Sequence, residues 1–201
     1  MNKGRLIVFS APSGCGKGTM LAEILKDNSF RCSVSTTTRE PRKGEIDGVH
    51  YYFISKEEFQ RRIANDEFME YAEYCQNSYG TLKSEVDQYL ESGINVILEI
   101  EVQGAMKMRE IRPDALFVFI APPSVNELRR RLNKRGTETQ EVIEKRIAAA
   151  ITELPYMDKY DYIIVNDALE DAVSDFFAVI RSEQLKTSAQ AEFIEEVIKN
   201  A

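Results

Sequence analysis

Apolar positions follow two rhythms along this chain. Leu6 to Ser10 is a short, nearly uninterrupted apolar run, and Ile94–Ile100, Leu116–Ile120 and Tyr162–Val165 repeat it. Runs this short without polar alternation predict strands buried on both faces. Helical spacing over Met20–Leu25, Val102–Ile111, Val125–Arg135 and Glu141–Glu153 predicts amphipathic helices between them. The tail from Ala168 to Ile198 reads as one helix with Val173, Phe176, Phe177 and Ile180 on one face. Strands alternating with helices imply an α/β fold, a central parallel sheet in a three-layer α/β/α sandwich, with ligands at the carboxyl ends of the strands.

Two stretches break the alternation. Residues 35–92 hold the Thr36–Thr38 run, the turn formers Pro41 and Gly44, the aromatic run His50–Phe53, a helix near Lys56–Asn65 and further polar residues to Thr81. They read as an inserted subdomain. Residues 124–160 are helical and carry Arg129, Arg130, Arg131, Lys134, Arg135, Lys145 and Arg146, which reads as a charged lid rather than core. The expected organisation is one domain over 1–201, with core 1–34, 93–123 and 161–201, an insertion at 35–92 and a helical lid at 124–160.

Composition narrows the chemistry. With 201 residues, 43% of them hydrophobic, the chain can bury a full core. A formal charge of −7 argues against a general nucleic-acid binder, so any phosphate must be held by local positive charge. No apolar stretch has the length of a membrane span and no signal-peptide pattern precedes the first strand, so a cytoplasmic protein is expected. Cys15, Cys32 and Cys75 are an odd, scattered set that supports neither a disulfide framework nor a zinc site. A homo-oligomer is left open.

Ala11-Pro12-Ser13-Gly14-Cys15-Gly16-Lys17-Gly18-Thr19 follows a predicted strand and opens a predicted helix, the setting of a P-loop. Its glycines let successive backbone N–H groups converge on phosphate oxygens, the helix start adds positive potential, and Lys17 reaches the terminal phosphates. Ala11 stands where the usual pattern has its first glycine and Gly18 where it has a hydroxyl residue, leaving Thr19 as the candidate Mg²⁺ partner. Cys15 is either a redox-sensitive thiol or simply a small loop residue.

With Ser33-Val-Ser-Thr-Thr-Thr-Arg-Glu-Pro-Arg-Lys-Gly-Glu45, Gly48-Val-His-Tyr-Tyr-Phe53, Asn77-Ser-Tyr-Gly-Thr81, Leu98-Glu-Ile-Glu-Val-Gln-Gly104, Arg135-Gly-Thr-Glu-Thr139 and Ile164-Val-Asn-Asp167, the chain resembles the guanylate kinase family over nearly its whole length. The resemblance implies a P-loop core, a GMP-binding subdomain inserted after the second strand, and a lid over ATP. It implies transfer of the γ-phosphoryl group of ATP to GMP, and by extension dGMP, with Mg²⁺, in purine nucleotide metabolism. Ser35, Arg39, Arg42, Glu45, Tyr51, Glu70, Tyr79, Thr81 and Glu101 would then serve GMP. Lys17, Arg135, Arg146 and Arg42 would act on the transferring group, and Thr19 and Glu99 would serve the metal.

Elementary chemistry agrees with these roles. Arg39 and Arg42 flank Pro41, whose fixed φ keeps the loop extended so that two guanidinium groups can approach one phosphate. Glu99 and Glu101 close an apolar strand, and alternation sends both carboxylates to one side. The family usually shows Asp-x-Asp there, so which glutamate serves Mg²⁺ and which serves GMP stays open. Gly136 is expected to end one helix and Thr137 with Gln140 to form a capping box for the next. Asn166 and Asp167 are candidates either for the adenine pocket or for a strand-to-helix cap. The competing reading is a non-catalytic guanylate-kinase-like interaction module, against which Gly16 and Lys17 argue. His50 is assigned no role.

Overall fold

A computed structural model describes residues 3–74, 76–135 and 139–200, the side chains of residues 74 and 135 excepted. Five parallel strands form the core sheet: β1 (Leu6–Ser10), β2 (Phe30–Cys32), β7 (Asn95–Glu99), β8 (Leu116–Ala121) and β9 (Tyr162–Val165), in the order β2-β7-β1-β8-β9. All of β1 and β8 is buried. Ile7 and Phe9 enter one apolar cluster and Leu6 and Val8 the other, as a side-chain period of two requires.

The first cluster is covered by α1 (Lys17–Ile24), α5 (Val125–Arg135), α6 (Gln140–Glu153) and α7 (Leu169–Leu185), the second by α3 (Lys83–Glu91) and α4 (Val102–Ile111). The three-layer α/β/α arrangement expected from the sequence is therefore the one observed. Helix α1 begins earlier than its apolar spacing suggested and takes in Lys17, because Gly16 at the N-cap adopts φ 80°, a left-handed conformation that glycine supplies without steric penalty.

The insertion carries its own sheet, ordered β4-β3-β6-β5, from β3 (Thr36–Thr37), β4 (Tyr52–Phe53), β5 (Phe68–Tyr74) and β6 (Asn77–Leu82), with α2 (Lys56–Ala64) beside it. Strands β5 and β6 form an antiparallel hairpin with a register shift between Phe68, opposite Leu82, and Glu70, opposite Thr81. The shift is a bulge at Met69. Met69 is buried in the second cluster, to which α4 contributes Val102, Ala105 and Met108, so the bulge docks the small sheet on the core and sets Glu70 opposite Thr81.

Two expectations need correction. Segment 124–160 does not stand clear of the core, because Leu128, Leu132, Ile143, Ile147 and Ala150 are buried in the first cluster; its charge belongs to the outward faces of α5 and α6. The tail is not one helix either. It breaks at Lys186 (φ −60°, ψ 138°) into α7, a 3₁₀ turn at Thr187–Ala189 and α8 (Ala191–Lys199), where Thr187 and Ser188 favour local turns over helix propagation. Gly136 and Thr137 lie outside the described residues. The N-cap of α6 is Thr139, whose hydroxyl accepts from the Val142 N–H at 3.5 Å. Among the described residues no helix is long and apolar enough to cross a membrane.

Candidate active site

The carboxyl end of β1 opens into a cavity of about 510 Å³ lined by Ala11 through Thr19 together with Glu101 and Glu153. Gly14 (φ 93°) and Gly16 (φ 80°) turn the loop. A Cβ on Gly16 would stand 2.6 Å from Asn166 Nδ2, so both backbone conformation and space require glycine there. The first-turn N–H groups of α1 carry no intrahelical partner and face this cavity, giving it the positive potential suited to phosphate.

Lys17, the first residue of α1, places Nζ 3.6 Å from Glu99 Oε1 at the end of β7. Glu101 occupies the N-cap position of α4 without capping it and lines the same cavity. Both glutamates thus lie on the phosphate-loop side, Glu99 against the lysine and Glu101 in the cavity wall. The Ser10 hydroxyl donates to the Ile100 carbonyl at 2.9 Å, pinning the short link between them.

Helices α5 and α6 and the end of β9 close on the loop. Arg146 Nε donates to Ser13 Oγ at 2.8 Å. Asn166 is 5% exposed, and its amide donates to the Cys15 carbonyl at 2.7 Å. Its side chain thereby braces the phosphate loop. Asp167 is exposed, 3.6 Å from Arg131. Arg131 also donates to the Asn166 carbonyl at 2.7 Å and the Asp167 carbonyl at 3.1 Å, a tie between α5 and the β9–α7 turn that sequence reasoning missed. Arg135 ends α5, and its side chain lies outside the described residues. Cys15 is fully buried, and burial pushes its thiol up to about 12. Cys32 is likewise pushed up to about 12. Protonated, enclosed thiols are poor nucleophiles, which favours the small-residue reading of Cys15. Cys75 lies outside the described residues.

The second half of the site is on the small sheet. Arg39 donates through Nη2 to both oxygens of Glu45, at 2.8 and 3.0 Å, and its guanidinium lies 5.4 Å from the Tyr51 ring centroid. Glu45 also accepts from the Arg42 backbone N–H at 2.7 Å. These bonds hold its carboxyl below the ordinary range, Arg39 first and the Arg42 N–H second. Glu45, expected to touch substrate, here holds the Arg39 guanidinium and the backbone at Arg42. Arg42 itself is exposed. The Tyr51 and Tyr79 rings meet edge-on at 6.0 Å.

Across the hairpin, Thr81 Oγ1 donates to Glu70 Oε1 at 2.8 Å. Thr81 is fully buried. Burial raises the Glu70 pKa, while the Thr81 bond and the Lys107 charge oppose it. Ser35 immediately precedes β3, which pairs with β6. Of the residues missed in sequence, Glu153 could have been found: it lies seven positions beyond Arg146, on the same face of α6.

The chain is similar to known proteins along most of its length. A family model described as guanylate kinase matches residues 3–183. A guanylate kinase from Latilactobacillus sakei is 54% identical over 187 residues, covering 92% of this chain and 92% of its own. One from Clostridioides difficile is 46% identical over 200 residues, covering 99% and 98%. The crystal structure of guanylate kinase from Anaplasma phagocytophilum shares the fold with a TM-score of 0.73 at 35% identity, covering 93% of this chain and 89% of that one.

Proposed function

The chain belongs to the guanylate kinase family, and on that premise we propose how its two half-sites carry out ATP:GMP phosphoryl transfer. The phosphate loop takes ATP, with backbone N–H groups on the β-phosphate and Lys17 reaching the bond to be broken. The small sheet takes GMP, with Arg39, Arg42, Tyr51 and Tyr79 on its phosphate and Glu70, Thr81 and Ser35 on its base. The observation that carries this reading is the pairing of the half-buried Glu70 with the buried Thr81, a carboxylate beside a hydroxyl, which matches the adjacent N1–H and amino donors of guanine and its O6 acceptor.

Phosphoryl transfer demands positioning and charge neutralisation far more than covalent help. A GMP phosphate oxygen is already an anionic nucleophile, so no general base is required. Lys17, Arg146 and Arg135 supply the positive charge around the transferring group. Asn166 and Arg131 act through the loop and the β9–α7 turn, and Asp167 stands at the open edge where an adenine would lie.

The donor set at the cavity suits Mg²⁺, which takes oxygen ligands and keeps several waters. The Thr19 hydroxyl and the Glu99 and Glu101 carboxylates are oxygen donors, and among the described residues no three His, Cys, Asp or Glu side chains cluster closely enough to hold a metal by themselves. Thr19 would hold it directly and the glutamates through water. Bound there with ATP, Mg²⁺ supplies neutralisation of β- and γ-phosphate oxygens. The reading includes a cytoplasmic enzyme acting on free nucleotides, not on nucleic acid. A non-catalytic interaction module is not favoured, since the phosphate loop and its lysine are intact.

Turnover across GMP, dGMP, AMP, UMP and CMP with ATP and Mg²⁺ tests the reading, with guanine nucleotides alone expected to turn over efficiently. Comparable AMP turnover would overturn the base assignment. Arg42→Ala should weaken GMP by about 1.5–3 kcal/mol, the range for a lost charged hydrogen bond, and ATP much less. Calorimetry with each nucleotide separates the two, and equal weakening would remove Arg42 from the GMP half-site.

A further inference from the structure

Helix α6 meets the phosphate-loop cavity twice. Arg146 donates to Ser13, and Glu153, two turns later on the same face, forms part of the cavity wall with Glu101. Among the described residues the Glu153 carboxylate has no hydrogen-bond or ion-pair partner. The nearby Tyr160 hydroxyl feels the charge of Glu153. Tyr160 is buried, 9% exposed, with its hydroxyl beside Ser10, whereas Glu153 is half-buried. Burial and the charge of Glu101 raise the Glu153 pKa, with Lys17 opposing them.

A carboxylate in the wall of a polyphosphate cavity repels the ligand, and a second one, Glu101, adds to the repulsion. A cation standing between them makes such a pair compatible with bound phosphates. Lys17 is already engaged 3.6 Å from Glu99, and Arg146 is turned to Ser13. A hydrated divalent cation brings both the missing charge and water protons for the unpartnered carboxylate to accept.

We propose that Glu153 is a positioning residue for the divalent cation that accompanies ATP, accepting hydrogen bonds from its coordinated water opposite Glu101. The proposal rests on the reading of this cavity as the MgATP site. Because Glu153 ends the helix that carries Arg146, it ties cation placement to the arginine beside the transferring phosphate.

Calorimetry with ADP and with a non-hydrolysable ATP analogue, in Mg²⁺ and in EDTA, tests this alongside Mn²⁺ binding to the enzyme–ADP complex by electron paramagnetic resonance. Glu153→Gln should bind metal-free nucleotide about threefold tighter or more, since a repelling charge is gone. It should hold Mn²⁺ about tenfold more weakly in the ternary complex, the scale of a lost outer-shell partner. A merely structural residue would not move the two in opposite directions. Glu153→Asp, which keeps the charge, should return metal-free binding to the wild-type value and recover part of the Mn²⁺ affinity. Unchanged Mn²⁺ affinity in Glu153→Gln, with wild type clearly metal-dependent, would overturn the role of Glu153 alone. Wild-type nucleotide binding that ignores metal altogether would overturn the MgATP-site reading and this proposal with it.

Discussion

Methionine at position 17 should lower kcat by about three orders of magnitude or more, while the protein stays folded and still binds nucleotide. Methionine keeps the length and flexibility of the lysine stem and removes only the charge. Lys17 opens α1 with its side chain 20% exposed and its ammonium 3.6 Å from Glu99, so the loss of packing is small. The Glu99 carboxylate left behind is 38% exposed and remains solvated, and such ion pairs contribute at most about 1 kcal/mol to stability. The large effect falls instead on the transition state, where charge spreads over the transferring phosphoryl oxygens. Steady-state ADP production gives the rate, and circular dichroism melting checks the fold. Turnover within tenfold of wild type in a folded Lys17→Met variant would remove the lysine from the chemistry.

How much of this was readable in the sequence depended on element length. Strands β1, β7 and β8 are largely buried between helical layers, and their apolar runs announced them; β9, expected to be buried on both faces, is the edge strand, with Ile163 and Val165 exposed and Ile164 buried. The phosphate loop was legible because its glycines are required by backbone geometry, Gly16 most plainly. Strands β3 and β4 are two residues each, too short for any period to emerge, and β2 has three. Strands β5 and β6 mix polar and apolar positions, and their hairpin turns at Gln76 with φ 65° rather than at an Asn-Gly or Asp-Gly pair. The bulge at Met69 left no mark in the sequence, since only the pairing of two strands defines it. Roles that run through a neighbour were equally hidden. Asn166 braces Cys15, 151 positions away, and Glu45 braces Arg39, six positions away. The arginines of 124–160 read as the charge of a lid, but Arg131 and Arg146 are also ties to the turn after β9 and to the phosphate loop. Charge identity could be read there, whereas direction could not.

Glu70→Gln should reduce GMP turnover and raise thermal stability together, an opposition that follows from the Glu70 environment. The bulge at Met69 sets Glu70, half-buried, opposite Thr81 on the small sheet, and burial raises its pKa against the Thr81 bond and the Lys107 charge. A raised carboxyl pKa means the folded chain holds the proton more tightly than the unfolded one. The stability it contributes is present below the unfolded pKa and is lost as pH rises through the folded pKa. At neutral pH the ionised group therefore weakens the fold. Glutamine removes that charge and still accepts from the Thr81 hydroxyl, so its melting temperature at pH 7 should exceed that of wild type, with the difference shrinking in acid. Guanine needs that charge. It offers N1–H and amino protons to two carboxylate oxygens, and the amide turns one acceptor into a donor. Losing one charged hydrogen bond lowers kcat/KM for GMP by about 1.5–3 kcal/mol, roughly 10- to 150-fold. AMP presents an acceptor at N1, which the carboxylate repels and an amide does not, so the preference for GMP should narrow by more than the loss in GMP rate alone. In wild type the same chemistry predicts that the KM for GMP rises as pH falls, beginning at a higher pH than an ordinary carboxylate would give. Kinetics with GMP and AMP from pH 5 to 8, together with melting curves, test both halves. Wild-type GMP turnover and undiminished rejection of AMP in Glu70→Gln would place guanine recognition elsewhere.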